Sequence, residues 1–357
     1  MNISAKIVAS RVLQQFRLFV RWSIGICLFF AATFASAVTP QIFIPQDQSP
    51  HNSSTKEWWY YTGHLSGTDP QGKVHNYGYE LTFFKTGALP PPLANGYVAN
   101  FAVTDLTKNT YQSDERIIVQ PNVLPKGGGF DIQMLDWSMS GLNNNNTMRA
   151  AFSNQSYSLT LNLTSSTQAV LHGDGGVIPY GPFDTSKYYS YTNLQTTGTI
   201  IDHGVPITVT GTSWHDHQWF NADGQVGGWD WFSVQLDNGT QYMVYLIRDI
   251  TGAIVQKVGT QVNKDGSYAA LDSRLLGDTA LGTWTSPVTL QTYSSGWLLM
   301  VPNGQLTIQP QKVNQEVLSL PPEPRYWEGA STVSGVIDGI PVKGVGYTEI
   351  TPPQVFP

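Results

Sequence analysis

Glu57-Trp58-Trp59-Tyr60-Tyr61 carries aromatic side chains on both faces of an extended segment; the turn residues Asp69-Pro70-Gln71-Gly72 follow, and a Tyr-rich stretch over 77–84 returns. Successive side chains of a strand point to opposite faces, so aromatics on both sides mean that both are buried, as packing between layers or as the wall of a pocket. A second stretch echoes the first: Gly228-Trp229-Asp230-Trp231-Phe232, an Asn238-Gly239 turn, and a return over Tyr242–Arg248. Outward from these hairpins, short alternating runs punctuated by Gly, Pro, Asn and Asp recur. They lie at Trp58–Leu65, Tyr77–Phe84, Tyr97–Val103, Tyr157–Leu163, Ile207–Trp214, Trp229–Leu236, Gln241–Arg248, Trp297–Val301 and Gly344–Ile350. Gly127–Gly129 and Asn143–Asn146 read as loops. No stretch beyond residue 37 holds a helical apolar period for three turns. The expectation is an all-β chain of two related antiparallel barrels or sandwiches, divided near residue 220, where Asn221-Ala222-Asp223-Gly224 offers a polar linker.

The first 37 residues read as a secretory signal peptide. Lys6, Arg11, Arg17 and Arg21 stand without an acidic residue, an apolar run covers Ile24–Phe34, and Ala35-Ser36-Ala37 supplies a small-x-small cleavage signal. The run is short against the roughly 20 residues of a spanning helix. That segment holds four of the nineteen Lys and Arg and none of the twenty-five acidic residues, which leaves the remainder at a net −10. An acidic chain without a basic stretch is a poor nucleic-acid binder and offers no patch for anionic membranes. The single cysteine, Cys27, also lies there, so the mature chain has neither disulfide nor thiolate ligand. Export without disulfides suits a periplasmic or secreted bacterial protein. No stable membrane anchor is expected after cleavage.

The densest polar cluster is Trp214-His215-Asp216-His217-Gln218-Trp219-Phe220. On a strand, His215, His217 and Trp219 share one face, and Trp214, Asp216, Gln218 and Phe220 the other. The His-x-His spacing is open to three readings: a metal site needing a distant third ligand, a proton-transferring or water-holding histidine, or a structural buried pair. Glu57 is open to a role as an acid or as an Arg-paired strand end. Glu328, behind Tyr326 and Trp327, is expected to be hydrogen-bonded or shifted upward in pKa. The chain lacks a Gly-x-Ser-x-Gly elbow, a P-loop, a dinucleotide fingerprint and His-Glu-x-x-His.

Lys56 to Leu65, Tyr188-Tyr189-Ser190, Trp214–Trp219, Gly228–Phe232 and Tyr326-Trp327-Glu328-Gly329 stand in an order that resembles the AttH-type secreted proteins related to carotenoid 1,2-hydratase. That family also includes kievitone hydratase-like enzymes and fungal decalin-forming cyclases. The resemblance spans nearly the whole chain beyond the signal segment. It implies two lipocalin-like β-barrel or sandwich domains, 38–220 and 221–357, with a ligand cavity within or between them. The chemistry implied is that of a hydro-lyase protonating a C=C bond of an apolar isoprenoid- or polyketide-like substrate. A non-catalytic carrier and a hydrolase of an ester or lactone are the alternatives. The family's hydratases use a His-x-Trp pair with a nearby tyrosine and aspartate. His217-Gln218-Trp219 matches the pair and Tyr245 the tyrosine, while Leu246 and Ile247 stand where the aspartate would follow.

Hydration of such an alkene needs a protonated carboxylic acid in an apolar site, aromatic faces for the cation and one held water, but no metal or cofactor. With Asn238-Gly239 as a two-residue hairpin loop, Asp237 pairs with Thr240, Phe232 faces Tyr245 and Asp230 faces Ile247. Asp230 is then a lone carboxylate on the more apolar face, diagonal to Tyr245, and the expected acid, with His217 nearby. The alternatives are that it caps a strand end or pairs with a distant cation. Trp59, Tyr61, His215, Trp219, Phe232 and Met243 are the expected ligand-lining side chains.

Overall fold

The computed structural model of the chain describes residues 41–86, 96–119, 122–181, 184–221, 227–319 and 325–353. The expected signal segment and positions 222–224 of the expected linker lie outside them. Residues from Thr39 to Pro357 form one compact unit. Among the described residues the only helical pieces are two 3-10 turns, Gln46–Gln48 and Ser273–Leu275; the regular structure is otherwise antiparallel strand. No helix among them is long and apolar enough to cross a membrane.

Every run read as a strand lies inside an observed one, the first within Lys56–Thr68 and the His-rich one within Val205–Phe220. The expected loops shrink to the turns Gly127-Gly128 and Asn143-Asn144, because Gly129 and Asn145 already begin strands.

The strands form two large sheets, one of 13 strands drawn from Lys56–Phe220 and one of 10 drawn from Gly228–Thr351. Each rolls over its own core. In the first, Trp59 reaches Phe130 with ring centres 5.8 Å apart, and Phe101 stacks on Phe152 at 4.5 Å. In the second, Phe232 meets Trp297 edge-on at 5.8 Å. These lipocalin-like rolls are filled by their own side chains: Trp59, Trp137, Trp297 and Trp327 are all fully buried. Each large side chain buried in this way contributes about 2–3 kcal/mol over leaving it in water.

The outer faces of the two rolls pack against each other. Tyr60, Tyr188, Trp214 and Phe220 of the first sheet share a third core with Trp231, Met243, Tyr245, Ile247 and Tyr347 of the second. This explains the doubly aromatic strands. Trp59 and Tyr61 point into the first roll, and Tyr60 points into the layer between the rolls. Gly78 is required there, since a Cβ would lie 2.6 Å from the Tyr347 hydroxyl and 2.7 Å from the Ala330 Cβ.

The second hairpin corrects the expected register. Trp231 pairs with Tyr245, Phe232 with Val244 and Asp230 with Leu246, one residue away from the expected alignment. A two-residue type I′ loop needs positive φ at both central positions. Here Gly239 has φ +88° and Asn238 does not adopt positive φ. The amide of Leu236 bonds the Thr240 carbonyl at 2.9 Å, so the loop has three residues, Asp237-Asn238-Gly239, with glycine in the left-handed position. A one-residue shift changes which side chains are neighbours across the pair. Asp230 and Phe232 therefore belong to the core side of the second roll, and Tyr245 and Met243 to the opposite face.

Candidate active site

Four acidic side chains enter the layer between the rolls, each from a different strand. Asp216 alternates with His215 and His217 on Val205–Phe220, Glu80 lies on Val74–Thr86, Glu328 on Tyr326–Ile337 and Glu349 on Ile340–Thr351. Glu328 and Glu349 are register partners across adjacent strands, and Trp231 is the other partner of Glu349. Among the described residues no Lys or Arg bonds any of the four. Their surroundings are aromatic: the rings of Tyr60 and Trp231 stand edge to face at 5.3 Å, and those of Trp214 and Trp231 at 6.0 Å.

The four acids differ in what they are bonded to. Asp216 accepts from the Tyr188 hydroxyl at 2.7 Å, the Trp214 indole N–H at 2.6 Å and the Ser190 hydroxyl. The Trp231 indole donates to the Tyr188 hydroxyl at 3.1 Å, and Ser190 is tied at 2.6 Å to His172. Burial pushes Asp216 up to about 7 while these donors pull it down. Glu328 is held more sparsely. Its Oε1 accepts from Tyr60 at 2.8 Å, and its Oε2 is buried without a partner among the described residues. Burial, then the charges of Glu80 and Glu349, push Glu328 well above the carboxylate range. Glu80 accepts from Tyr326 at 2.6 Å and Thr82 at 2.9 Å, has a second orphaned oxygen, and is pushed up by burial to about 7. Glu349 accepts from the Trp229 indole at 2.9 Å, and burial pushes it up to about 8. All four acids are thus pushed upward, and what differs is their hydrogen bonding: Asp216 is dressed by three donors, Glu328 by one with an orphaned oxygen, while Asp216 and Glu80 reach the same value.

The AttH-like family profile matches residues 36–352. This chain belongs to the AttH-like family. A structure from Nitrosomonas europaea assigned to AttH is 30% identical, with a TM-score of 0.77 over 89% of this chain and 99% of that one. The crystal structure of kievitone hydratase from Nectria haematococca shares the fold at a TM-score of 0.72 and 18% identity, over 90% of this chain and 95% of that one. Kievitone hydratase of Fusarium solani subsp. phaseoli is 22% identical over 230 residues, which are 62% of this chain and 65% of that protein.

In this AttH-like chain the residues singled out from sequence fall in three separate places. His217, His215, Trp59, Tyr61 and Trp219 line the interior of the first roll. His217 Nε2 lies 2.9 Å from Glu57 Oε1 and its Nδ1 3.2 Å from the Tyr189 hydroxyl, and burial lowers its pKa. His215 stacks on Tyr61 at 4.1 Å, its Nδ1 is 3.1 Å from the Tyr60 carbonyl, and burial takes it down to about 3. Tyr245 and Met243 join the layer between the rolls. Asp230 and Phe232 sit on the core side of the second roll.

Asp230 is not a lone carboxylate. Arg248 bonds it through Nε at 3.1 Å and again through Nη2. The register turns Asp230 away from the face that carries Tyr245, and Arg248 and Asp278 stand around it, while burial still holds its carboxyl above the usual aspartate range as expected. Sequence reading named Asp216 and Glu328 without bringing them together, and it passed over Glu80 and Glu349. The available signal was alternation: Tyr326, Glu328 and Ala330 share a face, as do Tyr347 and Glu349.

Proposed function

We propose that the layer between the rolls is the active site of a hydro-lyase that adds water across a C=C bond of an apolar, isoprenoid-like substrate. The observation carrying this reading is the gathering of Asp216, Glu80, Glu328 and Glu349 among Tyr and Trp rings without a bonded Lys or Arg among the described residues. Kievitone hydratase, a relative by sequence and by fold, bears a name of the same reaction class. In this proposal Glu328, protonated and with a free oxygen, gives its proton to the less substituted alkene carbon. The tertiary cation that results lies against the faces of Tyr60, Trp214 and Trp231. Water adds its oxygen to the cationic carbon and loses a proton to Asp216, and proton exchange within the cluster recharges Glu328. The product carries one new C–H and one new C–OH bond, with no cofactor consumed.

The test is incubation with prenylated phenols and short isoprenoids in water enriched in heavy oxygen. The expected product gains the mass of one labelled water, and Glu328→Gln, nearly isosteric, folds normally and forms none. Unchanged ligand recovered from the wild type would favour a carrier. Label in a carboxylate with chain cleavage would favour a hydrolase. We propose further that the protein acts outside the cytoplasm, after cleavage behind Ala37; intact-mass measurement of the exported product should show an N-terminus at Val38.

A further inference from the structure

The segment 41–55 crosses one end of the first roll and is fastened to it at several points. Ile42 enters the roll's core, Gln48 bonds the backbone of Asn143 at 2.7 and 3.0 Å, and the Ser49 hydroxyl donates to the Gly129 carbonyl at 3.0 Å. His51 closes the strap. Its ring stacks on Trp219 at 3.9 Å, and its Nδ1 lies 2.8 Å from Oε1 of the fully buried Glu57. His217 Nε2 approaches that same oxygen at 2.9 Å. Two imidazole nitrogens and a carboxylate oxygen thus converge, all within 4.8 Å of one another.

We propose that His51, Glu57 and His217 form a site for a divalent transition metal of the Zn²⁺ class, which fastens the strap to the roll. Two imidazoles and one carboxylate are a donor set that such ions accept, with positions left for water. The surroundings carry the argument further than the three donors alone. A metal-binding histidine normally engages its other ring nitrogen with a hydrogen-bond partner that fixes its tautomer and orientation. Both histidines have one: Tyr189 Oη stands 3.2 Å from His217 Nδ1, and Asp47 Oδ1 3.4 Å from His51 Nε2. Without metal, the His217 tautomer that directs Nε2–H at Glu57 leaves Nδ1 to accept from the Tyr189 hydroxyl. Metal at Nε2 moves that proton to Nδ1, which then donates to Tyr189 Oη, and His217 needs to lose no charge. At His51 the metal replaces the Nδ1 proton while Nε2–H stays directed at Asp47. Of the neighbouring cations, Lys85 donates to the His51 carbonyl at 3.0 Å and its charge is set against Glu57, while Lys187, 6.0 Å from the centre of the Trp219 ring, is set against Asp47. This assignment is independent of the acids between the rolls, and its test reads no turnover.

The purified chain, stripped with a chelator, is titrated with Zn²⁺ by calorimetry and with Co²⁺ by visible absorption. One metal per chain is expected, with d–d bands of a site containing imidazole, and a rise in melting temperature on saturation. His51→Ala should weaken binding at least about tenfold, since even partners of the ligands change affinity by about 10–100-fold. His203→Ala, at an exposed histidine beside Asp202, should leave it unchanged. If His51→Ala does not fold, Asp47→Asn decides, with binding weakened several-fold. Absence of a stoichiometric site in the wild type, binding lost with His203 instead, or binding indifferent to both strap substitutions would overturn the assignment.

Discussion

Asp230 shows how one neighbour changes the meaning of a residue. A carboxyl on an apolar face is a proton donor if unpaired, and Arg248 draws it into an ion pair within a cluster that also includes Asp278, 3.6 Å from the guanidinium; Asp230 is nearly buried, at 6% side-chain exposure, against 22% for the arginine. Removing one partner of such a pair costs more than the pair itself contributes, because a charge is left in low dielectric. Arg248→Met is therefore expected to lower stability by about 2–3 kcal/mol, measured by urea unfolding. Asp230→Asn should retain turnover if the acids between the rolls perform the chemistry, and loss of turnover in a folded Asp230→Asn protein would count against them. Glu328 stands in the opposite situation. Its amide isostere removes a proton donor without exposing a charge, so Glu328→Gln should keep or slightly raise stability while abolishing hydration.

At the scale of elements, two features hold the site together. Gly78 lets the Val74–Thr86 strand approach Tyr347 and Ala330 of the other roll at a distance no side chain tolerates. Gly78→Ala is expected to destabilise by about 1–3 kcal/mol through overpacking, and to slow turnover more than Gly72→Ala, an open turn position with φ +85° where the cost is local strain. Denaturant melts and initial rates on the two variants distinguish these effects. The hairpin loop Asp237-Asn238-Gly239 is the second feature. Here a near-symmetric choice between a two-residue and a three-residue loop was settled by Asn238 keeping a negative φ. Nothing in the flanking alternation distinguishes the two, since both strands are buried on both faces.

For the whole molecule, the gathered acids make stability depend on pH in a defined sense. Asp216 and Glu80 rise to about 7 and Glu349 to about 8, from ordinary values of 3.8 for the aspartate and 4.5 for the glutamates. Groups raised on folding hold protons that the unfolded chain has released, so their contribution is complete below the unfolded values and is lost as pH rises through about 4 to 8. Glu57, Asp47 and Asp202 are lowered and act in the other direction, losing their contribution as pH falls below the ordinary carboxylate range. Melting temperature should peak at mildly acidic pH and decline towards pH 8 and above. Turnover should be bell-shaped, falling on the acid side as Asp216 is protonated below about 7 and on the alkaline side as Glu328 ionises. A melting temperature rising steadily from pH 5 to 8 would contradict the protonated state of the layer.

The all-β class, the positions of the strands and the alternation of faces within each strand were determined by the sequence itself, because a period of two is a local property of the backbone. His215, His217 and Trp219 share one face, and Trp214 and Asp216 the other, as alternation requires. The need to bury both faces of Glu57–Tyr61 was equally legible in its aromatics. What only the tertiary structure decided was which outward faces meet. Tyr326 bonds Glu80 across 246 residues of chain, and Tyr60 bonds Glu328 across 268. No local pattern encodes such a pairing: it follows from how two rolled sheets twist and dock, and the proton affinity of each acid is set by the partners that docking supplies.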